Sequence, residues 1–450
     1  VSIQEEVNSL KYQVRILQGI VIILILVLGA KAFGNDVQVA KADFRSVPVH
    51  IGKYYQYFST AYVDPSEREQ LEIAFRLTVP SLSRTVLLDA AIPQQLTPTL
   101  WKVNLKHLQW GNDFIKAIKK DYPYDKSSKG YRPLIIRADW FVQYALDNTK
   151  SDNLYQLLLF GRELKTEAAF LEFFKADVNS QFAYAFIEDD SGVALNKTRI
   201  LQFAPTLQGQ PITYTRDFKE LNQDTDPLEN LDRATPHDAS EVIAALPKRI
   251  GQTGEMGLLQ AYGLFDGNGD NVRNAPPDIV VDYAGARGPE LRNAISCIAC
   301  HNQGLLHPSV NALRRFNESG GLFGSADPQA AIKINERFNV SPKRQVDYWN
   351  ESYRLAVEYC TGTTPEAASK AVQDSIKAYD RNVTFEQAAR ELRVTPRVLG
   401  RFIINLSQRT EKTGRPYLPA RIVQLSKVPI RRELWEAHFM KLYVIRKNYL

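Results

Sequence analysis

The sequence predicts an α+β protein in three parts: an N-terminal transmembrane helix, an α+β body and a mostly helical C-terminal part. Three observations lead there. An uncharged apolar run, "ILQGIVIILILVLGA", occupies positions 16–30. Between residues 51 and 285, segments of period 2 and of helical period are mixed without the strand–helix–strand rhythm of a parallel sheet. From residue 286 onward, nearly every segment repeats at helical spacing. The expected organisation is an anchor at 1–33, a linker at 34–50, an α+β domain at 51–285 and a helical domain at 286–450.

The anchor is read from its pattern as well as its hydropathy. No charge interrupts the chain between Arg15 and Lys31. That run is shorter than the roughly 20 residues of a membrane span. Lys31 can snorkel, and Ala32-Phe33-Gly34 can prolong the apolar surface. Ala30-Lys31-Ala32 also fits a signal-peptidase site, so an export signal is the alternative. Ile3, Val7, Leu10, Val14, Leu17, Val21, Leu24 and Leu28 alternate in steps of four and three. This is an a/d heptad seam, which favours a retained helix in the lipid bilayer able to pair with a helix of another membrane subunit.

In the body, Asp64-Pro65 reads as a helix start, a capping carboxylate followed by proline in the first turn. "EREQLEIAFRLTV" then has helical spacing. "TVLLDAAI" and "TLWKVNL" read as strands. "GNDFIKAIKKDY", "IIRADWFVQYALDN" and "NLYQLLLFGREL" read as helices, and "FAYAFIEDD" and "TRILQFAP" as extended. Residues 206–250 are polar and turn-rich, and are expected to be a surface excursion. "LLQAYGLFDGNGDNV" reads as a hairpin with its tip at 267–269. Asp266-Gly267-Asn268-Gly269-Asp270 resembles the start of a calcium loop, but Asn271 and Pro277 stand where such a loop needs glycine and glutamate. A plain turn is the expectation.

The helical part carries the charge. Residues 301–450 hold 24 basic and 14 acidic residues, net +10, against −4 for residues 1–300. This suits either a solvated surface or a docking face for an acidic partner or for anionic lipid headgroups. "TFEQAARELRVTPRVLGRFI" holds two helix starts, at Thr384 with Gln387 and at Thr395-Pro396. The pattern resembles a DNA-binding helix-turn-helix. Two helices of a small helical domain is the expected reading, with no nucleic-acid partner.

Three cysteines, Cys297, Cys300 and Cys360, exclude a disulfide framework. Two of them fall in "AISCIACHNQGLLH" (294–307). Covalent haem attachment needs two thiols for the porphyrin vinyl groups and an imidazole beside the second thiol to ligate iron. Cys297, Cys300 and His301 supply these at the minimum spacing, and export fits, since haem c is attached outside the cytoplasm. Zinc would need four ligands, which Cys297, Cys300, His307 and Cys360 could supply, but no second C-x-x-C or H-x₃-H follows. A redox pair would need a βαβ setting that is absent here. Haem c, one per chain, is the reading adopted. For the sixth ligand Met256 is preferred, with Met440, His107, His237, His307 and His438 as the other candidates. Cys360, at the end of a Tyr- and Trp-rich helix, is expected to be a buried free thiol.

The pieces "YPYD" (122–125), "RADWFV" (137–142), "SGVALNKTR" (191–199), "VRNAPPDIVVD" (272–282) and "NAISCIACHNQGLL" (293–306) resemble those of a family of large single-haem c-type cytochromes, exported or membrane-anchored, of Gram-negative bacteria. The resemblance spreads over roughly residues 50–310. It implies an α+β domain ahead of a cytochrome domain with haem on Cys297, Cys300 and His301. It assigns no sixth ligand.

Together these lead to an expected membrane-anchored periplasmic monohaem cytochrome. It would sit in the inner membrane by a single pass, with its N-terminus cytoplasmic and its body periplasmic. Its expected job is one-electron transfer with redox partner proteins, as a subunit of a larger membrane complex, with no substrate chemistry of its own. A five-coordinate haem enzyme or gas sensor, and a mainly structural assembly subunit, are the alternatives.

Overall fold

Strand Tyr55–Ser59 (β1) buries its last four residues, because both of its faces are covered. In a computed structural model of the chain it is one of the two inner strands of a four-stranded sheet of order β2-β3-β1-β4. The others are Gln94–Gln95 (β2), Leu100–Asn104 (β3) and Ile135–Arg137 (β4). β1 is antiparallel to β3 and parallel to β4. The structure describes residues 36–125, 134–147, 153–178, 183–187, 199–207, 212–219, 237–281, 290–305, 343–411 and 414–449, with single positions at 329 and 332.

Helix Arg68–Ser81 (α1) follows a single 3-10 turn whose first amide bonds are capped by Asp64, as the Asp-Pro pair predicts. Gly111–Asp121 (α2) and Ala138–Leu146 (α3) complete the layer on this sheet. Phe58 of β1 meets Phe75 of α1 at 5.0 Å and Phe141 of α3 at 4.9 Å between ring centroids. Two shorter helices, Leu154–Phe160 (α4) and Glu167–Phe173 (α5), lead to the second sheet.

That sheet is an antiparallel meander of five strands in sequence order. They are Ala183–Ile187 (β5), Arg199–Ala204 (β6), Ile212–Asp217 (β7), Ala239–Ile250 (β8) and Glu255–Asp266 (β9). β8 and β9 pair over their whole length, from Ala239↔Asp266 to Ile250↔Glu255. The helices of the C-terminal part close over both sheets. They are Ile295–Cys300 (α6), Lys343–Thr361 (α7), Pro365–Asp380 (α8), Phe385–Leu392 (α9), Pro396–Ser407 (α10) and Arg432–Tyr449 (α11). α7 buries Val346, Trp349, Tyr353, Ala356, Val357 and Cys360, an i, i+3, i+4 stripe. It lies directly on β9 because Gly257 has no side chain there: a Cβ would stand 2.9 Å from that of Ala356. One buried apolar cluster runs from Phe58 through Leu259 and Trp349 to Leu442, so the helical part shares the core of the sheets.

The membrane-spanning helix and the single-pass inner-membrane placement that rested on it do not stand. Among the described residues no helix is long and apolar enough to cross a membrane. Residues 16–30, where the span was expected, lie outside the described residues. The longest described helices, α7 and α11, carry charges along their length and bury apolar faces against protein.

Three local expectations also change. "TVLLDAAI" holds a single helical turn, Leu88–Ala91, because Leu88 and Ala91 bury together at i, i+3. Within 206–250, expected to be a surface excursion, β7 and much of β8 are buried sheet; their polar residues pair across the ladder instead of facing water. The expected hairpin tip at 267–269 follows a single 12-residue strand, β9, which turns back only to bridge Phe265 with Asn271. There the Asp266 carboxylate accepts from the amides of Asn268 and Asp270, which makes it the turn's own cap. Thr384 and Thr395 cap α9 and α10 as their spacing predicts.

Candidate functional site

The C-x-x-C residues lie on one short helix, α6, entered through a strained turn. Ala294 has φ 64° and ψ −56°, and the Ile295 amide donates to the Asn293 carbonyl at 2.9 Å. This is the γ-turn of positive φ, which is rare because the side chain crowds the backbone. The Asn293 side chain holds it by accepting from the Ala294 amide at 3.0 Å. Helix α8 satisfies two of the carbonyls of α6. Ser369 donates to Ile298 at 2.8 Å and Gln373 to Ile295 at 2.7 Å. A six-residue helix has little stability of its own, so these contacts define it.

His301 follows α6 and is aimed by a single bond. Its Nδ1 lies 3.1 Å from the Gly304 carbonyl oxygen. A carbonyl only accepts, so Nδ1 carries a proton and that bond sets the direction of the ring. Nε2 faces Glu241 Oε1 at 3.5 Å. The imidazole also lies against the Tyr262 ring, 6.3 Å between centroids and tilted by 30°.

The second sheet brings Glu241. In the register of β8 and β9, Glu241 stands opposite Leu264 and Ile243 opposite Tyr262, so all four side chains share one face. Arg199 and Asp217 come to the same face from β6 and β7. Arg199 forms a two-point pair with Asp217, both bonds 2.8 Å, and reaches Glu241 at 3.6 Å. Burial alone would raise the Glu241 carboxyl, but His301 and then Arg199 outweigh it and hold it at about 2. The Cys297 thiol is 2 % exposed and faces Asn293 at 4.0 Å and the Glu241 carboxylate. Burial, followed by Glu241 and Cys300, pushes that thiol well above its ordinary range. Cys300 is half-buried, and all three cysteines are free thiols.

The structure brings Cys297, Cys300 and His301 together and leaves Met256 out. Met256 pairs with Arg249, eight residues along the β8–β9 ladder from the Glu241–Leu264 pair, and is 38 % exposed. At about 3.3 Å per residue it stands about 26 Å away, whereas axial ligands must face one another across a single iron. Met256 is therefore not a partner for His301. His237 packs with Arg216 at 3.1 Å. Arg216 neighbours Asp217 in β7, so it points to the opposite face of the sheet from Glu241. Met440 packs on the core from α11, and His107 is exposed. His307 lies outside the described residues. Cys360 has Lys248, Arg76 and Asp89 as its charged neighbours, well apart from the set around Cys297. Among the described residues no group of three or more His, Cys, Asp or Glu side chains is arranged to hold a metal ion.

Sequence reasoning missed Glu241, Arg199, Asp217 and Tyr262. The one available signal was a lone carboxylate in an apolar strand, "ASEVIAAL" (239–246), which has to find a partner once buried. Compared with known proteins, the chain matches no family model, no curated protein and no solved structure.

Proposed function

We propose that this chain is a monohaem c-type cytochrome whose job is one-electron transfer. The haem would be attached through Cys297 and Cys300 and ligated by His301 Nε2. The observation that carries this reading is the Nδ1 bond to the Gly304 carbonyl at 3.1 Å, which fixes the imidazole in the direction a metal ligand needs and leaves Nε2 as the ligating atom. The chemistry of the site fits the group. Two thiols stand three residues apart on one helical turn, and buried donors at Asn293 Nδ2 and Gln260 Nε2 have no acceptor among the described residues.

Bound haem supplies a ferric–ferrous couple, and the protein tunes it by ligation, burial and hydrogen bonding. This chain's own part follows from its geometry. Gly304 holds the proton on Nδ1, and the Asn293 turn and α8 hold α6 in place. The cavity against Arg199 and Glu241 measures about 10 Å³, far below the 300 Å³ or more of a small-molecule pocket. Loading would require the Glu241 carboxylate to part from Nε2, with Arg199 left to hold it.

One observation favours a second reading. The group that faces Nε2 is a carboxylate, and neither Met256 nor His237 approaches it. A haem with one protein ligand and an open position would bind small ligands instead of only passing electrons. Redox partners of acidic surface suit either reading. Residues 393–431 hold nine basic residues and one acidic residue, and Arg397, Arg401, Arg421 and Lys427 are exposed.

The full chain made in cells that carry out cytochrome c maturation tests this. Acid–acetone extraction should leave haem on the polypeptide, and Cys297→Ala with Cys300→Ala should release it. Sharp low-spin reduced bands favour electron transfer. A high-spin ferrous form that binds carbon monoxide favours the open site. A polypeptide without haem ends the reading.

A further inference from the structure

Helix α7 reaches the motif at one residue, Asn350. Its side-chain amide grips the backbone of Leu305 at two points: Oδ1 accepts from the Leu305 amide at 2.7 Å and Nδ2 donates to the Leu305 carbonyl at 2.9 Å. The preceding residue, Gly304, lies flat against the same side chain. Its φ is +107°, and a Cβ there would stand 2.1 Å from Asn350 Oδ1. Gly304 is also tied to His301 twice, by its amide to the His301 carbonyl at 3.0 Å and by its carbonyl to Nδ1 at 3.1 Å.

We infer that Asn350 is a positioning residue that sets the direction of the His301 imidazole through the Gly304–Leu305 turn. The chain of contacts is continuous. α7 is fixed to β9 by the close approach at Gly257 and Ala356 and by the buried ring of Trp349 beside Asn350. Asn350 fixes Leu305, and Leu305 fixes the direction of the Gly304 carbonyl, which accepts from Nδ1. Only a side chain carrying both a donor and an acceptor at this length can make the two-point grip, so Asp keeps half of it and Leu none. The role as ligand orienter rests on the haem reading above; the effect on the Nδ1 bond does not.

The test uses the full chain with Asn350→Leu and, as the near-isosteric variant, Asn350→Asp. In the chain made without haem, ¹⁵N NMR reads the exchange of the His301 Nδ1 proton with water, with His301→Gln assigning the signals. The wild type should show a slowly exchanging, hydrogen-bonded Nδ1 proton; Asn350→Leu should let it exchange freely, and Asn350→Asp should fall between. In the haem-loaded chain the His301 bond should weaken about 10- to 100-fold, as for the loss of an outer partner of a ligating histidine. That is read as a larger high-spin fraction and a shifted midpoint potential, with the haem still attached. A packing role alone would lower the unfolding midpoint and leave the Nδ1 exchange and the spectra as in the wild type, which would overturn the proposal. An unchanged Asn350→Asp protein would overturn it also if Asn350→Leu does not fold. A wild-type chain without haem would end the cytochrome reading, and the Nδ1 exchange would still decide the role of Asn350.

Discussion

Arg137 Nη1 lies 2.6 Å from Glu391 Oε2, and both side chains are almost completely buried. The pair joins the first sheet to the helical part. Glu391 also accepts from Arg432 and from the Trp435 ring, each at 2.7 Å, while Arg137 turns its other edge to Asp139. The guanidinium lies over the Tyr124 ring at 4.3 Å. A buried carboxylate shared by two arginines is stable only because every oxygen is used. Glu391→Gln should therefore destabilise the chain by about 3–5 kcal/mol, the usual result of leaving a buried charge without its partner. Denaturant unfolding monitored by Trp fluorescence checks it, and a change under about 1 kcal/mol would refute the role.

The same residue gives an acid limb. Burial would raise the Glu391 carboxyl, but Arg137 and Arg432 hold it at about 2. An unfolded glutamate titrates near about 4.3. The unfolded chain thus takes up this proton first as pH falls, so the stabilisation is complete above about 4.3 and is lost progressively towards 2. Stability measured from pH 5 to 2.5 should fall less steeply in Glu391→Gln than in the wild type. Parallel limbs would show that Glu391 is not the titrating group.

Lys248 gives a limb of the same sign at alkaline pH. It is 2 % exposed and donates to the Ser83 carbonyl at 2.9 Å, the Ser83 hydroxyl at 3.0 Å and the Thr85 carbonyl at 2.9 Å. Burial lowers its ammonium to about 8. Between about pH 8 and 10 the unfolded lysine keeps a proton that the folded one has released, so this group's contribution rises with pH. The stability difference between wild type and Lys248→Met should grow by about 2 kcal/mol from pH 8 to about 9.5. The buried thiols of Cys297 and Cys360 act in the other direction but are present in both proteins. A flat difference would place the ammonium elsewhere.

Two single-methyl changes bracket the motif. Ala294→Gly removes the side chain from a residue at φ 64° and should stabilise by about 1 kcal/mol, the strain relieved less the added chain entropy. Gly304→Ala drives a Cβ to 2.1 Å from Asn350 Oδ1 at a φ of +107° and should destabilise by about 2 kcal/mol or more. Thermal unfolding of the two variants should move in opposite directions. A destabilised Ala294→Gly would mean that the γ-turn is not held as described.

Thiol chemistry separates the three cysteines. Cys297 and Cys360 are buried, and both thiols are pushed above their ordinary range, Cys360 to about 12. Cys300 is half-buried. Iodoacetamide at pH 7.5, followed by peptide mass spectrometry, should label Cys300 first in the folded chain made without haem. In haem-loaded protein neither Cys297 nor Cys300 should be labelled at all. Labelling of Cys297 ahead of Cys300 would contradict the burial described here.

The sequence by itself determined the helix starts at Asp64, Thr384 and Thr395, the apolar stripe of α7 and the adjacency of Cys297, Cys300 and His301. Each is local: a cap, a helical period or a spacing is complete within a few residues. It also made the C-x-x-C-H motif the candidate site. Only the tertiary structure decided what surrounds that motif. Glu241 reaches His301, with Arg199 and Asp217 behind it, because β6, β7 and β8 are neighbours in one meander, and that register is set by burial across strands distant in sequence. Asn350 reaches Leu305 only because α7 packs on β9. Met256 is attractive in sequence as a rare methionine near the motif, yet the same ladder carries it to the far end of the sheet. A strand two residues out of phase looks almost identical in sequence, whereas in space every step along it is about 3.3 Å of separation.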